Sequence, residues 1–237
     1  MNYPLYVFFG LAPSIIWLFF FLRKDSHPES NRMIIRIFFY GMLAAVPAAL
    51  IEIGFLEQLK SLALPVRWLQ LIYIFIGIAF TEEFMKYVVV RKKVKGHPEM
   101  DEPVDLMLYM IISALGFAAL ENLLILLPLS NPFLFFETAV LSGFRFVGAT
   151  LLHALCSGLL GYFIALSFFA TRKRRFFLLS QGVITVTLLH GLYNFSIIEM
   201  AGNFKLIIPV IILTSLAIFV TLGFRKVKKL KSVCKIQ

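Results

Sequence analysis

The chain is a succession of long apolar runs separated by short polar connections. Most of these runs are about twenty residues long, which at about 1.5 Å per helical residue matches the roughly 30 Å hydrocarbon core of a bilayer. They do not alternate apolar and polar positions with the period of two that a membrane β-barrel requires. The pattern predicts an all-α, multi-pass helix bundle. Its seven predicted spans are roughly 4–22, 33–55, 68–90, 103–127, 138–170, 176–198 and 204–224.

The fifth segment is too long for one simple span. Its beginning, NPFLFFETAVLSG at 131–143, is predicted to form a separate interfacial or re-entrant piece ahead of the spanning helix. We predict one transmembrane bundle over residues 1–224, in which the first run is a retained helix, and a basic cytoplasmic tail over residues 225–237.

Composition supports membrane insertion. The chain has 237 residues, of which 60% are hydrophobic and 15% charged, and a net charge of +10. Nucleic-acid binding is not predicted, because the basic residues cluster at span ends, at 23–32, 91–95, 172–175 and 225–235. Basic and non-basic connections alternate, so the N-terminus is predicted outside and the C-terminus in the cytoplasm. The two cysteines, Cys156 and Cys234, are not predicted to pair.

Few ionisable residues remain at membrane depth, and each charge there costs roughly 2.5–3.5 kcal/mol on insertion scales. A single such residue can be explained by a hydrogen bond between two helices. So many of them in one small bundle predict a functional site. The ionisable residues at membrane depth are Glu52, Glu82, Glu83, Lys86, Glu121, Arg145, His153 and His190, with Asn122 and Asn194 beside them. Their depth predicts a site layer nearer the outer half of the bilayer, formed by Glu82, Glu83, Glu121, His153 and His190.

The spacing of these residues indicates how they can cooperate. Lys86 follows Glu82 by four residues and Glu83 by three, so it can pair with either carboxylate on a helix. His190 and Asn194 share a helix face and can both donate hydrogen bonds to one oxyanion. A sheltered carboxylate beside an imidazole can act as general base on water. These features are consistent with metal-free amide hydrolysis.

The residues alone leave other chemistries open. No H-E-x-x-H motif is present, but Glu82, Glu121, His153 and His190 have the ligand types of a divalent-metal site. Ser157 with His190 would be a serine-protease pair. A proton-coupled transporter would also bury such charges, although neither an inverted repeat nor paired broken helices are visible.

Four short motifs follow one another on successive spans: EEFMK at 82–86, GFAALEN at 116–122, LLHALCSG at 151–158 and HGLYNF at 190–195. In this order they resemble the PrsW family of glutamic-type intramembrane proteases, which is related to the CAAX-type prenyl endopeptidases. The similarity runs from the first span to about Phe195.

The resemblance implies an endopeptidase in the plasma membrane of a prokaryote, with no metal or other cofactor. Its implied substrate is a single-span membrane protein cut in or near its transmembrane segment; in the PrsW case this is an anti-sigma factor, cut on its extracytoplasmic side to start a stress response. An inactive relative that only binds membrane peptides is a further alternative.

The resemblance also assigns roles to residues. Glu82 is the implied base, with Glu83, Lys86 and Asn122 in support. His190 and Asn194 are the implied oxyanion donors, although PrsW-type sequences often carry aspartate at the second position. The last two catalytic candidates are Glu121, which stands where the prenyl endopeptidases have histidine, and His153, which is expected to supply the imidazole instead.

Overall fold

The computed structural model describes residues 3–24, 29–94, 96–97, 99–126 and 135–230, and within these ranges it contains helices and no strand. Seven of its helical stretches are long and apolar enough to cross a membrane. This confirms the predicted all-α, multi-pass architecture. The helices are α1 Tyr3–Leu22, α2 Asn31–Ser61, α3 Val66–Ile72, a π-helical segment Tyr73–Phe80, α4 Thr81–Lys93, α5 Pro103–Leu126, α6 Phe135–Val147, α7 Ala149–Phe168, α8 Arg172–Glu199 and α9 Phe204–Val227.

Two spans depart from their predicted outlines. The helix α2 extends beyond the predicted 33–55 at both ends. Its start at Asn31 is fixed by the Ser30 hydroxyl, which caps the first turn by accepting from the backbone N–H of Met33 at 3.1 Å. The fifth span is divided, as predicted, into a separate α6 and the following α7. The break lies at Gly148 and not after Gly143, where the apolar pattern had placed it.

The helix α5 forms the centre of the bundle and packs mainly against α7, α2 and α1. Almost its whole length is buried, and side chains such as Tyr109, Met110 and Ile112 have no exposed surface. The peripheral helices instead expose large apolar side chains, including Phe8, Phe19 and Ile211. This reversal of a water-soluble protein's pattern is what a hydrocarbon solvent favours.

Close contact between α2 and α5 depends on two glycines. A Cβ atom on Gly41 would overlap the backbone of Ser113, and one on Gly116 would overlap the backbone of Phe38. Small residues allow helix backbones to approach closely, which is how helices associate in lipid.

The ends of α1 and α9 meet on one face of the bundle, where the Lys228 ammonium donates to the backbone carbonyl of Lys24. We call this the basic face, because the basic residues at the ends of α4 and α9 and at the start of α8 are those of the predicted cytoplasmic clusters. The predicted orientation and the division into bundle and tail stay predictions. Cys234 and the rest of 231–237 lie outside the described residues.

Substitution of Gly41 by alanine tests the α2–α5 contact. We expect Gly41→Ala to lower the stability of the detergent-solubilised protein by about 1–3 kcal/mol, because the added methyl group overpacks the interface. Gly54→Ala in the same helix is the matched control, since nothing lies within 4 Å of a Cβ there. Thermal unfolding measures both, and equal unfolding temperatures would contradict the assigned contact.

Candidate active site

The two adjacent carboxylates of the site, Glu82 and Glu83, lie in the first turn of α4. They follow directly on the π-helical segment Tyr73–Phe80, whose wider turns are found frequently at functional sites. The Thr81 hydroxyl donates to the carbonyl of Ile76, five residues earlier, at 3.3 Å. The apolar sequence YIFIGIAF did not predict this segment, since periodicity does not distinguish π from α geometry in a uniformly apolar run.

Lys86 connects the two carboxylates to His153. Its Nζ atom lies 2.8 Å from Glu83 Oε1, 3.2 Å from Glu82 Oε2 and 2.7 Å from His153 Nδ1. The same ammonium is 4.5 Å from the centre of the Phe117 ring, within range of a cation–π interaction. Lys86 has no exposed surface, so these partners replace the water that it lost on insertion.

His153 bridges Lys86 and Glu121. Because an ammonium group can only donate, His153 Nδ1 accepts from Lys86, and the remaining proton of the neutral ring is on Nε2. That Nε2 atom lies 2.7 Å from Glu121 Oε2. The hydrogen-bond network therefore assigns the Nε2–H tautomer to His153 and occupies both ring nitrogens.

His190 has the opposite tautomer. Its Nδ1 atom lies 3.0 Å from Glu83 Oε1, an ionised acceptor, so Nδ1 carries the proton. Its Nε2 atom then has the lone pair, 3.8 Å from Glu82 Oε2. The Ser157 hydroxyl donates to the other oxygen of Glu83 at 3.0 Å. Ser157 and His190 are thus both directed at Glu83, and no serine–histidine pair is formed between them.

A second layer extends from Glu121. Arg145 Nη2 lies 2.9 Å from Glu121 Oε1, and Arg145 Nε donates to Asn122 Oδ1 at 2.5 Å. The Asn122 amide donates in turn to the Thr150 hydroxyl at 3.1 Å. These contacts connect α5 to α6 and α7 on either side of the break at Gly148, and they hold Glu121 against His153.

A cavity of about 690 Å³ opens onto the cluster. Its polar wall contains five predicted site residues: Glu82, Glu121, His153, His190 and Asn194. The other three, Glu83, Lys86 and Asn122, do not line the cavity and lie behind this wall. Apolar side chains of α6, α8 and α9 form much of the rest. This volume lies within the roughly 300–1,000 Å³ range of small-molecule and cofactor sites.

The comparisons with known proteins agree on one family. The sequence profile described as "PrsW family intramembrane metalloprotease" matches residues 29–222. The chain is 33% identical to Protease PrsW of Geobacillus kaustophilus over 186 residues, which cover 78% of this chain and 76% of the relative.

The chain is also 28% identical to Protease PrsW of Bacillus subtilis over 229 residues, which cover 96% of each protein. It is 25% identical to Protease PrsW of Clostridioides difficile over 190 residues, which cover 78% of this chain and 76% of the relative. The chain belongs to the PrsW family of intramembrane proteases. The resemblance predicted from the four motifs is therefore confirmed. No solved structure matches the chain significantly.

The description of the profile as a metalloprotease family implies a bound metal ion. The contacts of this PrsW site show which of its residues are available as ligands. One ligand atom from each of Glu82, His153 and His190 lies within 4.8 Å of the others, and carboxylate with imidazole suits zinc. However, Lys86 occupies His153 Nδ1 and Glu121 occupies Nε2. Of this trio, only Glu82 and His190 Nε2 then remain, fewer than the three protein ligands of a catalytic zinc site. With these contacts in place, the trio does not fit a catalytic zinc ion.

The structure brings all eight predicted site residues of this family member into one region, while their roles stay predictions. Sequence reasoning named Arg145 and Glu52 as buried charges but not as members of the site. Arg145 forms an ion pair with Glu121, and Arg145 and Glu52 both line the cavity. The sequence did not single out Thr150, which accepts from Asn122, or Tyr193, which lines the cavity. A threonine or a tyrosine in an apolar span carries no signal of its own.

Removal of the Lys86 charge tests its part in holding the cluster. We expect Lys86→Met to lower stability by about 3–5 kcal/mol, because Glu82 and Glu83 are left buried without their cation. Lys92→Met, at an exposed position of the same helix, is the control. The added substitution Glu83→Gln is expected to restore part of the loss. Thermal unfolding in detergent reports all three, and an unchanged Lys86→Met protein would contradict the assignment.

Proposed function

We propose that this chain is a glutamic-type intramembrane endopeptidase that hydrolyses a peptide bond in or near the transmembrane segment of a single-span membrane protein. The observation that supports this most directly is the pair of Glu82 Oε2 and His190 Nε2, which face each other at 3.8 Å on the wall of the cavity. The distance is too long for a direct hydrogen bond and suits a water molecule bound by both atoms.

In the proposed reaction Glu82 acts as general base. The water donates one hydrogen bond to Glu82 and one to the lone pair on His190 Nε2, which the Nδ1–H contact with Glu83 keeps available. Glu82 removes a proton from the water as the water oxygen bonds to the peptide carbonyl carbon. A positioned base of this kind contributes about 10²–10⁴-fold to a rate.

The tetrahedral intermediate needs hydrogen-bond donors for its oxyanion. Asn194 lines the same cavity and supplies an amide N–H. His190 joins it as a donor from Nε2 only in its protonated form, because Nε2 of the neutral ring is an acceptor. Glu82 then returns its proton to the leaving nitrogen as the C–N bond breaks, so one water and one peptide bond become a carboxyl group and an amine.

The remaining residues position these groups. Glu83 sets the tautomer of His190, while Lys86 offsets the charge of both glutamates. Glu121, held by Arg145, orients His153. His153 Nδ1 is also 3.5 Å from Glu82 Oε2, so the ring limits where that carboxylate can turn. Such a supporting shell is what keeps reacting groups in a productive geometry.

The proposed biological setting rests on the family and on the distribution of charge. The relatives named Protease PrsW come from bacteria, and the basic face matches the cytoplasmic side of the positive-inside pattern. We accordingly place the protein in the plasma membrane of a prokaryote with its C-terminus in the cytoplasm. An anti-sigma-factor-like substrate, cut on its extracytoplasmic side, is the proposed partner.

Cleavage of tagged single-span membrane proteins in proteoliposomes tests the proposed roles. We expect Glu82→Gln to lower the rate about 10²–10⁴-fold, because the amide cannot accept the water proton. Loss of an oxyanion donor in Asn194→Leu is expected to cost about 10²–10³-fold. His190→Ala is expected to lose activity similarly to Glu82→Gln, whereas Ser157→Ala is expected to retain most of it.

Matched controls separate chemistry from folding. Glu57→Gln and His97→Ala change the same residue types outside the cluster and should leave cleavage unchanged. Full activity of Glu82→Gln, or loss of all activity in Ser157→Ala with an intact fold, would contradict the glutamate mechanism. A folded wild-type protein that cleaves no member of a broad panel but carries protons across liposomes would favour the transporter.

Treatment with a chelator tests metal independence. Because Lys86 and Glu121 occupy both nitrogens of His153, we expect EDTA and 1,10-phenanthroline to leave the cleavage rate within about twofold of the untreated enzyme. The measurement is the initial rate before and after chelation and buffer exchange. Loss of activity that one divalent ion restores would instead assign the Glu82, His153 and His190 cluster to a metal.

A further inference from the structure

A second cavity, of about 330 Å³, lies between α1, α7 and α9, apart from the carboxylate–histidine site. Its α1 wall is aromatic and consists of Trp17, Phe20 and Phe21, and its α7 wall contains Leu151 and Leu155. Both α1 and α9 pack against α7, with this cavity between them. The surface is therefore a groove over α7 whose lining is mostly aliphatic and aromatic.

The shape of the groove indicates what fits it. Along α9 its lining extends from Ala217 to Lys228, a helical rise of about 16 Å. The cavity volume of about 330 Å³ is several times smaller than the volume of a helix segment of that length, which with its side chains is about 10–12 Å across. The groove accommodates an extended hydrocarbon chain and is too small to enclose a transmembrane helix.

The charge at one end indicates the headgroup. Lys24, Arg225 and Lys228 line the cavity at the basic face, and no acidic residue is among the described residues that line it. The Lys228 ammonium donates to the carbonyl of Lys24, which closes this end of the groove between α1 and α9. The Lys24 ammonium lies 4.9 Å from the centre of the Phe20 ring, so the cationic end and the apolar wall are continuous.

We propose that this groove binds one anionic phospholipid, with an acyl chain between α1 and α9 and its phosphate at Lys24, Arg225 and Lys228. Basic pockets between transmembrane helices are suited to anionic headgroups, and an arginine can bind phosphate oxygens in a bidentate manner. The bound chain fills the space between α1 and α9 over α7, the helix that carries His153. The proposal is independent of the peptidase mechanism.

The test is lipid retention by the purified full-length protein, measured by native mass spectrometry after mixing with phosphatidylglycerol or phosphatidylcholine. We expect the wild type to retain phosphatidylglycerol selectively. Ala217→Phe fills the groove without changing charge and is expected to abolish this retention. Ile218→Phe, the adjacent position with 58% of its surface exposed, is the matched control and should retain lipid normally.

The headgroup contacts are tested by charge removal. The Lys24→Gln and Arg225→Gln substitutions are each expected to weaken phosphatidylglycerol retention about fivefold. The pair Arg172→Gln and Lys173→Gln removes two exposed charges from the start of α8, away from the groove, and is expected to have no such effect.

Thermal unfolding in phosphatidylcholine identifies any variant that fails to fold. Should Ala217→Phe fail, Thr221→Phe at an exposed lining position takes its place. Equal retention of the two lipids, equal losses in the groove and control variants, or unchanged retention in a folded groove variant would each overturn the proposal. So would loss of substrate cleavage with normal lipid retention, since the groove would then hold part of the substrate.

Discussion

An ammonium group taken out of water costs several kcal/mol unless carboxylates and hydrogen-bond acceptors replace its hydration. Lys86 is in this situation, and its three partners come from two different spans: Glu82 and Glu83 from α4, and His153 from α7. Each carboxylate in turn needs the ammonium. The constraint is mutual, so the position of Lys86 determines where two glutamates and one histidine can lie, and the rest of the site is built around them.

The tautomers follow from this constraint. With Lys86 donating to His153 Nδ1, the proton of that ring is directed at Glu121. With Glu83 accepting from His190 Nδ1, the lone pair of that ring is directed at Glu82. The two histidines, whose rings are 5.1 Å apart, thereby differ in function: one is fully occupied inside the network, and the other presents an acceptor to the cavity.

Hydrocarbon around the bundle explains why this network is extensive. Polar groups surrounded by lipid have no water to hydrogen-bond with, so each added charge requires a further partner within the protein. Glu121 is paired by Arg145, Arg145 is held by Asn122, and Asn122 donates to Thr150. This sequence of contacts spans the break between α6 and α7. The cavity beside Glu82 has carboxylates and imidazoles on one wall, whereas the cavity beside Lys24 is apolar with a cationic end. The first suits the proposed peptide substrate and the second suits the proposed phospholipid.

Sequence alone determined the membrane architecture and the main members of the site. Seven apolar runs of bilayer length have few alternatives to spanning helices, and the spacing of Glu82, Glu83 and Lys86 implied the ion pairs that α4 contains. Four motifs in order sufficed to identify the family. These properties are local, or they depend on a pattern along one helix, and such patterns can be read without knowing which helices are neighbours.

Only the tertiary structure decided how residues far apart in the chain meet. The spacing could not show that Ser157 donates to Glu83, that Arg145 holds Glu121, or that Lys86 reaches His153, 67 residues away. The apolar sequence did not show the π-helical turns before Glu82, and it predicted a division of the fifth span without its position at Gly148. The physical reason is that hydrophobic periodicity determines that a helix is buried, whereas partners, rotations and tautomers are decided by which polar groups the packed helices bring within hydrogen-bonding distance.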